Sequence, residues 1–158
     1  MAFQVRRVVT GHDAKGRAVV KIDEVSKNIG SNRAGSDSLC DLDYGIFSRK
    51  QHSDADEGLR EIGTTLKDGT VFRLIELAPG VAQRNHRTDS IDYAVVVSGE
   101  IDMELEDSAV HLNAGDVLVQ RGTIHNWVNR GTKPCVMAFI LIDAKPVEVD
   151  GKVLNAVR

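Results

Sequence analysis

The sequence predicts an all-β chain, and three observations predict it. Short runs rich in Val, Ile and Leu recur along its length, Gly, Asp and Asn punctuate the gaps between them, and helical periodicity is hard to find. Runs of that length at that spacing build a sandwich or a barrel, because each strand buries one face and needs a second layer to bury it against.

Taken in chain order, Phe3 to Thr10 and Arg17 to Val25 form the first two runs. Gly11-His12-Asp13-Ala14-Lys15-Gly16 joins them and carries the residues a hairpin turn wants, so the chain is expected to begin with a β-hairpin. From Ser26 to Glu61 the pattern is mixed. Cys40, Leu42, Tyr44 and Ile46 alternate like a strand, while the stretches from Ile29 to Asp37 and from Ser53 to Gly58 read as loops, with an arm, a lid or a dimer contact as candidate roles. Beyond Thr64, strands are expected at Thr70 to Leu77, Asp92 to Val97, Glu100 to Leu105, Ala109 to Leu112, Asp116 to Gln120, His125 to Asn129 and Cys135 to Asp143. The alternating tail from Pro146 to Leu154 is broken by Asp150-Gly151, which predicts a small final hairpin with a type I′ turn. The expected division is a hairpin and arm over 1–63, a barrel core over 64–143 and a hairpin tail over 144–158, all within one domain.

Composition bounds the function. With 158 residues, 42% hydrophobic and 27% charged, the chain is long enough for a real core and matches ordinary globular usage. Twenty basic side chains against 23 acidic ones leave a net charge of −3, with the basic residues scattered, which argues against nucleic acid or an anionic membrane as partner. The longest apolar run, Cys135 to Ile142, has eight residues, too few to span a bilayer, and the apolar character of the N-terminus breaks within five. A cytoplasmic location is therefore expected. Cys40 and Cys135 lie in strand-like apolar surroundings and read as reduced core thiols.

Two segments concentrate chemistry. The first runs from Pro79 to Glu100 and holds His86, Thr88, Ser90 and Asp92 between Gly80 and Gly99; the second runs from Gly115 to Asn129 and holds Gln120, Arg121, Gly122, His125 and Trp127. Alternate side chains of a strand share a face, so His86, Thr88, Ser90 and Asp92 fall on one wall if the strand runs unbroken, followed by the small side chains of Ala94, Val96 and Ser98. A carboxylate on an interior wall needs a cation, a metal or several hydrogen bonds to offset desolvation. Two imidazoles and a carboxylate are also the donor set of the 2-His-1-carboxylate triad, which suits Fe(II), and Zn(II), Mn(II) or Ni(II) can use the same ligands. Without a metal, the two histidines can move protons near neutral pH while Asp92 fixes one ring. Trp127, two residues after His125, is either a pocket wall or ordinary core. Arg121 stands either at a barrel mouth to meet an anionic substrate or in solvent. His12, His52 and His111 read as surface or structural residues.

The same two segments resemble the paired signature motifs of the cupin superfamily. In the first, Gly80, His86, Asp92 and Gly99 keep the family's spacing, with Thr88 where the family has its second His and Asp92 where it has Glu. In the second, one deleted residue places Gln120, Gly122, His125 and Asn129 at the motif's Pro, Gly, His and Asn. The resemblance covers about Thr70 to Asp143. It implies a jelly-roll β-barrel, here with an N-terminal hairpin extension, and a homodimer. It also implies a divalent metal inside the barrel, for which His86, Asp92 and His125 are the remaining ligand positions, and a small-molecule ligand bound beside Thr88, Trp127 and Arg121. The expected activity is a non-redox lyase, isomerase or decarboxylase acting on a carbonyl or carboxylate compound. A mononuclear non-haem iron oxygenase and a non-catalytic ligand-binding module are the alternatives.

Overall fold

The computed structural model describes residues 3–30, 37–46 and 55–157. Its core is two antiparallel sheets facing each other. The larger has six strands in the order β3 (Ile29–Gly30), β4 (Asp37–Ile46), β5 (Gly69–Leu77), β11 (Cys135–Asp143), β6 (Ser90–Ser98) and β9 (Val117–Arg121). The smaller has three, β10 (Asn126–Val128), β7 (Glu100–Glu104) and β8 (Ala109–Asn113). Two separate hairpins complete the strands: β1 (Arg6–His12) with β2 (Ala18–Val25), and β12 (Val147–Val149) with β13 (Lys152–Leu154). The only helical element among the described residues is a 3-10 turn at Glu57–Leu59.

Alternation builds this core. On β11, Cys135, Met137, Phe139 and Leu141 are buried and the intervening residues are not; on β6, Ser90, Asp92, Ala94 and Val96 do the same. The facing sheet contributes Ile101, Met103, Leu112 and Trp127 to one cluster with them. Fully buried members such as Ile101, Met137 and Val71 each contribute roughly 1.5–3 kcal/mol of hydrophobic stabilisation. Cys40 and Cys135 are buried free thiols, as expected, and burial pushes the Cys135 thiol up to about 11.

The expected strands are present, with two differences. The six-stranded sheet reaches back past residue 64, because β4 pairs along β5 from Asp37↔Leu77 to Ile46↔Gly69. The polar segment before residue 64 therefore supplies sheet as well as arm: the alternating Cys40, Leu42, Tyr44 and Ile46 fall on β4, whose pairing shifts register between Asp41 and Asp43. The stretch leading into β6 is also less regular than expected. The strand starts at Ser90, and His86 and Arg87 make only isolated bridges, to His125 and Val157. His52 lies outside the described residues.

Two turn residues explain themselves. Gly99, between β6 and β7, has φ +80°, and a Cβ there would come within 2.7 Å of the Pro134 carbonyl. In the tail, Asp150 and Gly151 both take positive φ, 50° and 73°, as the type I′ turn requires.

Candidate active site

Between the two sheets a cavity opens beside the start of β6. Its wall includes His86, Thr88, Asp92, His125, Trp127 and Phe139. The backbones of His86 and His125 bond to each other in both directions, N–H to carbonyl at 3.0 Å each way. That bridge joins the first chemistry-bearing segment to the second. It brings the imidazoles together, with ring centroids 4.2 Å apart and planes inclined by 47°. His125 in turn meets Trp127 edge-on at 5.9 Å, and Trp127 meets Phe139 edge-on at 5.7 Å, forming an aromatic wall.

Asp92 is buried on the inner face of β6. Ser90 Oγ donates to one carboxylate oxygen and Thr88 Oγ1, at 3.5 Å, faces the other. Ser90 Oγ also lies 2.9 Å from Thr88 Oγ1. Loss of water outweighs these hydrogen bonds, so the Asp92 carboxyl is held above the usual carboxylate range.

The two histidines meet different sets of partners at Nδ1. His86 Nδ1 sits 3.1 Å from the Arg84 carbonyl oxygen, which only accepts, so Nδ1 carries the proton and Nε2 keeps the lone pair. His125 Nδ1 lies 2.7 Å from Gln120 Nε2. The Gln120 amide is oriented by its own bond from Nε2 to the Thr123 carbonyl at 3.0 Å, so a donor faces His125 Nδ1. His125 Nδ1 thus stands between the Gln120 amide nitrogen and the Thr123 carbonyl oxygen, 3.1 Å away.

Comparison with known proteins fits this architecture. Residues 73–142 match the family model described as a Cupin domain. A cupin-domain-containing oxidoreductase, fogC, from Aspergillus ruber is 36% identical over 157 residues, covering 94% of this chain and 77% of its own. The chain belongs to the cupin superfamily. Oryzines biosynthesis cluster protein J from Aspergillus oryzae is 34% identical, covering 96% of this cupin and 90% of its own length. Phomopsin biosynthesis cluster protein C′ from Diaporthe leptostromiformis is 47% identical over a shorter span, 60% of this chain and 51% of its own. Among solved structures, ethanolamine utilization protein Q from Salmonella typhimurium aligns over 91% of this chain and all of its own with a TM-score of 0.54 at 10% identity, a likeness of fold alone.

The donor set does not fit the metal that cupins often hold. Among the described residues, no group of three or more His, Cys, Asp and Glu side chains is arranged to hold an ion. His86, Asp92 and His125, the expected ligand positions, all line the cavity. Asp92 accepts from Ser90 and stands 3.5 Å from Thr88 Oγ1, and Thr88 stands in place of a third imidazole.

Arg121 is exposed on the outward side of β9 and does not line the cavity of this cupin. The cations that line it are Arg73 and Arg84. Arg73 is buried and paired with Asp41 at 2.9 Å. Arg84 is half-buried, and its guanidinium makes no ion pair or hydrogen bond among the described residues. Its loop is pinned by Asn126, whose Oδ1 accepts from the Arg84 N–H at 2.9 Å. Sequence reading missed Arg73, Arg84, Gln120 and Asn126 as site residues; Gln120 alone carried a signal, standing where the family motif has Pro. Trp127 serves both readings, buried in the core cluster and lining the cavity. Asn129 closes the following turn, bonding to the Leu77 and Lys133 carbonyls. His111 is exposed on β8 and paired with Asp102 at 2.8 Å, a surface role. Among the described residues no helix is long and apolar enough to cross a membrane.

Proposed function

We propose that this cupin is a small-molecule enzyme whose cavity moves a proton on a carboxylate-bearing carbonyl compound, as a non-redox lyase or isomerase. The observation that carries the reading is the pairing of His86 and His125, 4.2 Å apart between ring centroids with different partners at Nδ1, which we read as a base and an acid. The substrate carboxylate pairs with Arg84, the cavity cation with no ion pair among the described residues, and its carbon skeleton lies against Trp127 and Phe139. His86 Nε2 takes a proton from the carbon next to the carbonyl. The electron pair of that C–H bond moves toward the carbonyl oxygen, which receives the proton of His125 Nε2. The resulting enol returns its O–H proton to His125 Nε2 and re-forms the carbonyl as it either takes the His86 proton at the γ-carbon of a β,γ-unsaturated substrate, completing an isomerisation, or expels a leaving group from the β-carbon that departs with the His86 proton, completing an elimination. Asp92, whose burial favours its protonated form, donates a hydrogen bond or proton to the same oxygen-rich end.

A second reading has its own support. Relatives over 30% identical, fogC and virC of Hypocrea virens, are cupin-domain-containing oxidoreductases. In that reading the same cavity holds a substrate that surrenders electrons to an external oxidant such as dioxygen.

Short keto-acids incubated with the protein in D2O, followed by proton NMR alongside an oxygen electrode, separate the two. Enzyme-dependent exchange of the α-proton without oxygen uptake, lowered about 10²–10⁴-fold in His86→Ala and in His125→Ala, is the expected result. Oxygen uptake that both substitutions abolish, with no exchange, gives the oxidoreductase reading precedence.

A further inference from the structure

The stretch from His86 to Asp89 carries His86 and Thr88 into the cavity wall but belongs to neither sheet, since β6 starts only at Ser90. It is held from two sides. Successive residues of an extended chain turn their hydrogen-bonding groups to opposite edges, so His86 bridges to His125 and Arg87 bridges the other way, to Val157. The second bridge is as complete as the first: Arg87 N–H donates to the Val157 carbonyl at 3.0 Å, and Val157 N–H donates to the Arg87 carbonyl at 2.9 Å. Arg87 Nη1 also donates to the Asn155 carbonyl at 3.4 Å.

The chain leading to Val157 meets the same stretch at two further points. Ala144 N–H donates to the Asp89 carbonyl at 3.1 Å. Val147, in β12, lies so close to Gly122 that a Cβ added there would come within 2.7 Å of its side chain, and the Thr88 carbonyl is 3.6 Å from the same point. The tail therefore runs along the outer edge of residues 86–89 while His125 occupies the inner edge.

We propose that the tail from Ala144 to Val157 is a positioning element for His86, holding its imidazole at the cavity together with the His125 bridge. A single bridge leaves a short extended stretch able to swing about it, whereas a second bridge one residue on, from the opposite edge, fixes its direction. The contact is made by backbone groups, and the Val157 side chain is 44% exposed, so the N–H at position 157 matters more than the side chain. The proposal rests on the reading that His86 works in the cavity. Its readout is the His86 ring and amide themselves, so it fails separately from the reaction assigned there.

Nitrogen-15 NMR of the full chain above pH 7.5 tests it. Val157→Pro deletes the N–H that bonds Arg87, and Val157→Ala keeps it. In Val157→Pro the His86 Nδ1 resonance should move toward the position of a mobile, tautomer-averaged imidazole, while exposed His111 on β8 is unchanged; Val157→Ala should give the wild-type spectrum. Amide exchange at His86 and Arg87 should quicken about tenfold or more in Val157→Pro, with β11 amides unaffected. In the wild-type protein the protection factors of these two amides should agree within about tenfold, because release of the tail exposes both. Greater protection of His86 than that would show that His125 holds the stretch alone, and overturns the proposal. An unmoved His86 resonance in Val157→Pro also overturns it, as does loss of the β signal in that variant, which would make the tail a support of the whole fold rather than of His86.

Discussion

His86 and His125 lie with their ring centroids 4.2 Å apart, yet their Nδ1 atoms meet opposite partners, a carbonyl oxygen for one and an amide nitrogen for the other. In the proposed reaction these adjacent imidazoles act as a lone-pair donor and a proton donor. Gln120 is the residue responsible for the difference, and it occupies a position where a proline could not donate.

Gln120 and Thr88 should therefore control metal binding jointly. Thr88→His supplies a third imidazole but leaves the proton on His125 Nε2, so its effect on Zn(II) affinity alone should be small. Gln120→Pro frees His125 Nδ1 to donate to the Thr123 carbonyl, returning the lone pair to Nε2. The double variant should bind Zn(II) at least tenfold more tightly than either single one by calorimetric titration. Additive single effects would show that Gln120 does not set the proton.

Asp92 should make stability depend on pH in a stated direction. Its carboxyl is raised in the folded protein, chiefly by desolvation. Below the ordinary Asp value of about 3.9 it is protonated in both states and the folded form bears no charge penalty. As pH rises through the folded value, the buried group must ionise and that stability is lost. Asp92→Asn, which has no proton to lose, should gain relative to wild type between pH 4 and pH 8 in urea unfolding. A difference that stays constant with pH would remove the burial argument.

How much of this was legible in the sequence depended on whether an element announced itself locally. β11 was read to the residue, since Cys135 to Ile142 is an uninterrupted apolar run that Asp143 ends, and the Asp150-Gly151 hairpin followed from turn chemistry. His86, Asp92 and His125 were legible by spacing, and all three line the cavity. Arg84 was not legible, because a loop arginine carries no periodicity, and its place depends on an Asn126 bond spanning 42 residues. Arg121 misled because its neighbour in sequence, Gln120, faces inward, and alternation turns the next side chain out.

The cavity arginines should separate from the surface one in ligand affinity. Arg84→Met should weaken binding of a short carboxylate by about 10–100-fold, the loss of a charge-assisted contact, whereas Arg121→Met should leave affinity unchanged. Fluorescence of Trp127, the chain's single tryptophan, reports binding directly. Equal effects at both positions would point to a diffuse surface potential rather than a seated anion.

The N-terminal hairpin should depend on one buried cation. Arg7 of β1 is buried, ion-paired with Asp56 and with Glu24 at 3.1 Å, and its guanidinium donates to the Leu42 carbonyl at 3.3 Å. Gly58 has no Cβ where this guanidinium lies. Arg7→Met strands Asp56 and should cost about 3 kcal/mol. Gly58→Ala should loosen the same junction. Hydrogen exchange across β1 and β2 should rise in both variants, and unchanged protection would mean that the hairpin is held elsewhere.

The account rests on the opposed protonation of the two cavity histidines, and nitrogen-15 NMR of histidine-labelled protein above pH 7.5 reads it without any ligand. The predicted spectrum shows His86 protonated at Nδ1 and His125 protonated at Nε2, assigned by His86→Ala and His125→Ala, with His125 changing nitrogen in Gln120→Pro. The same protonated nitrogen on both rings would contradict it.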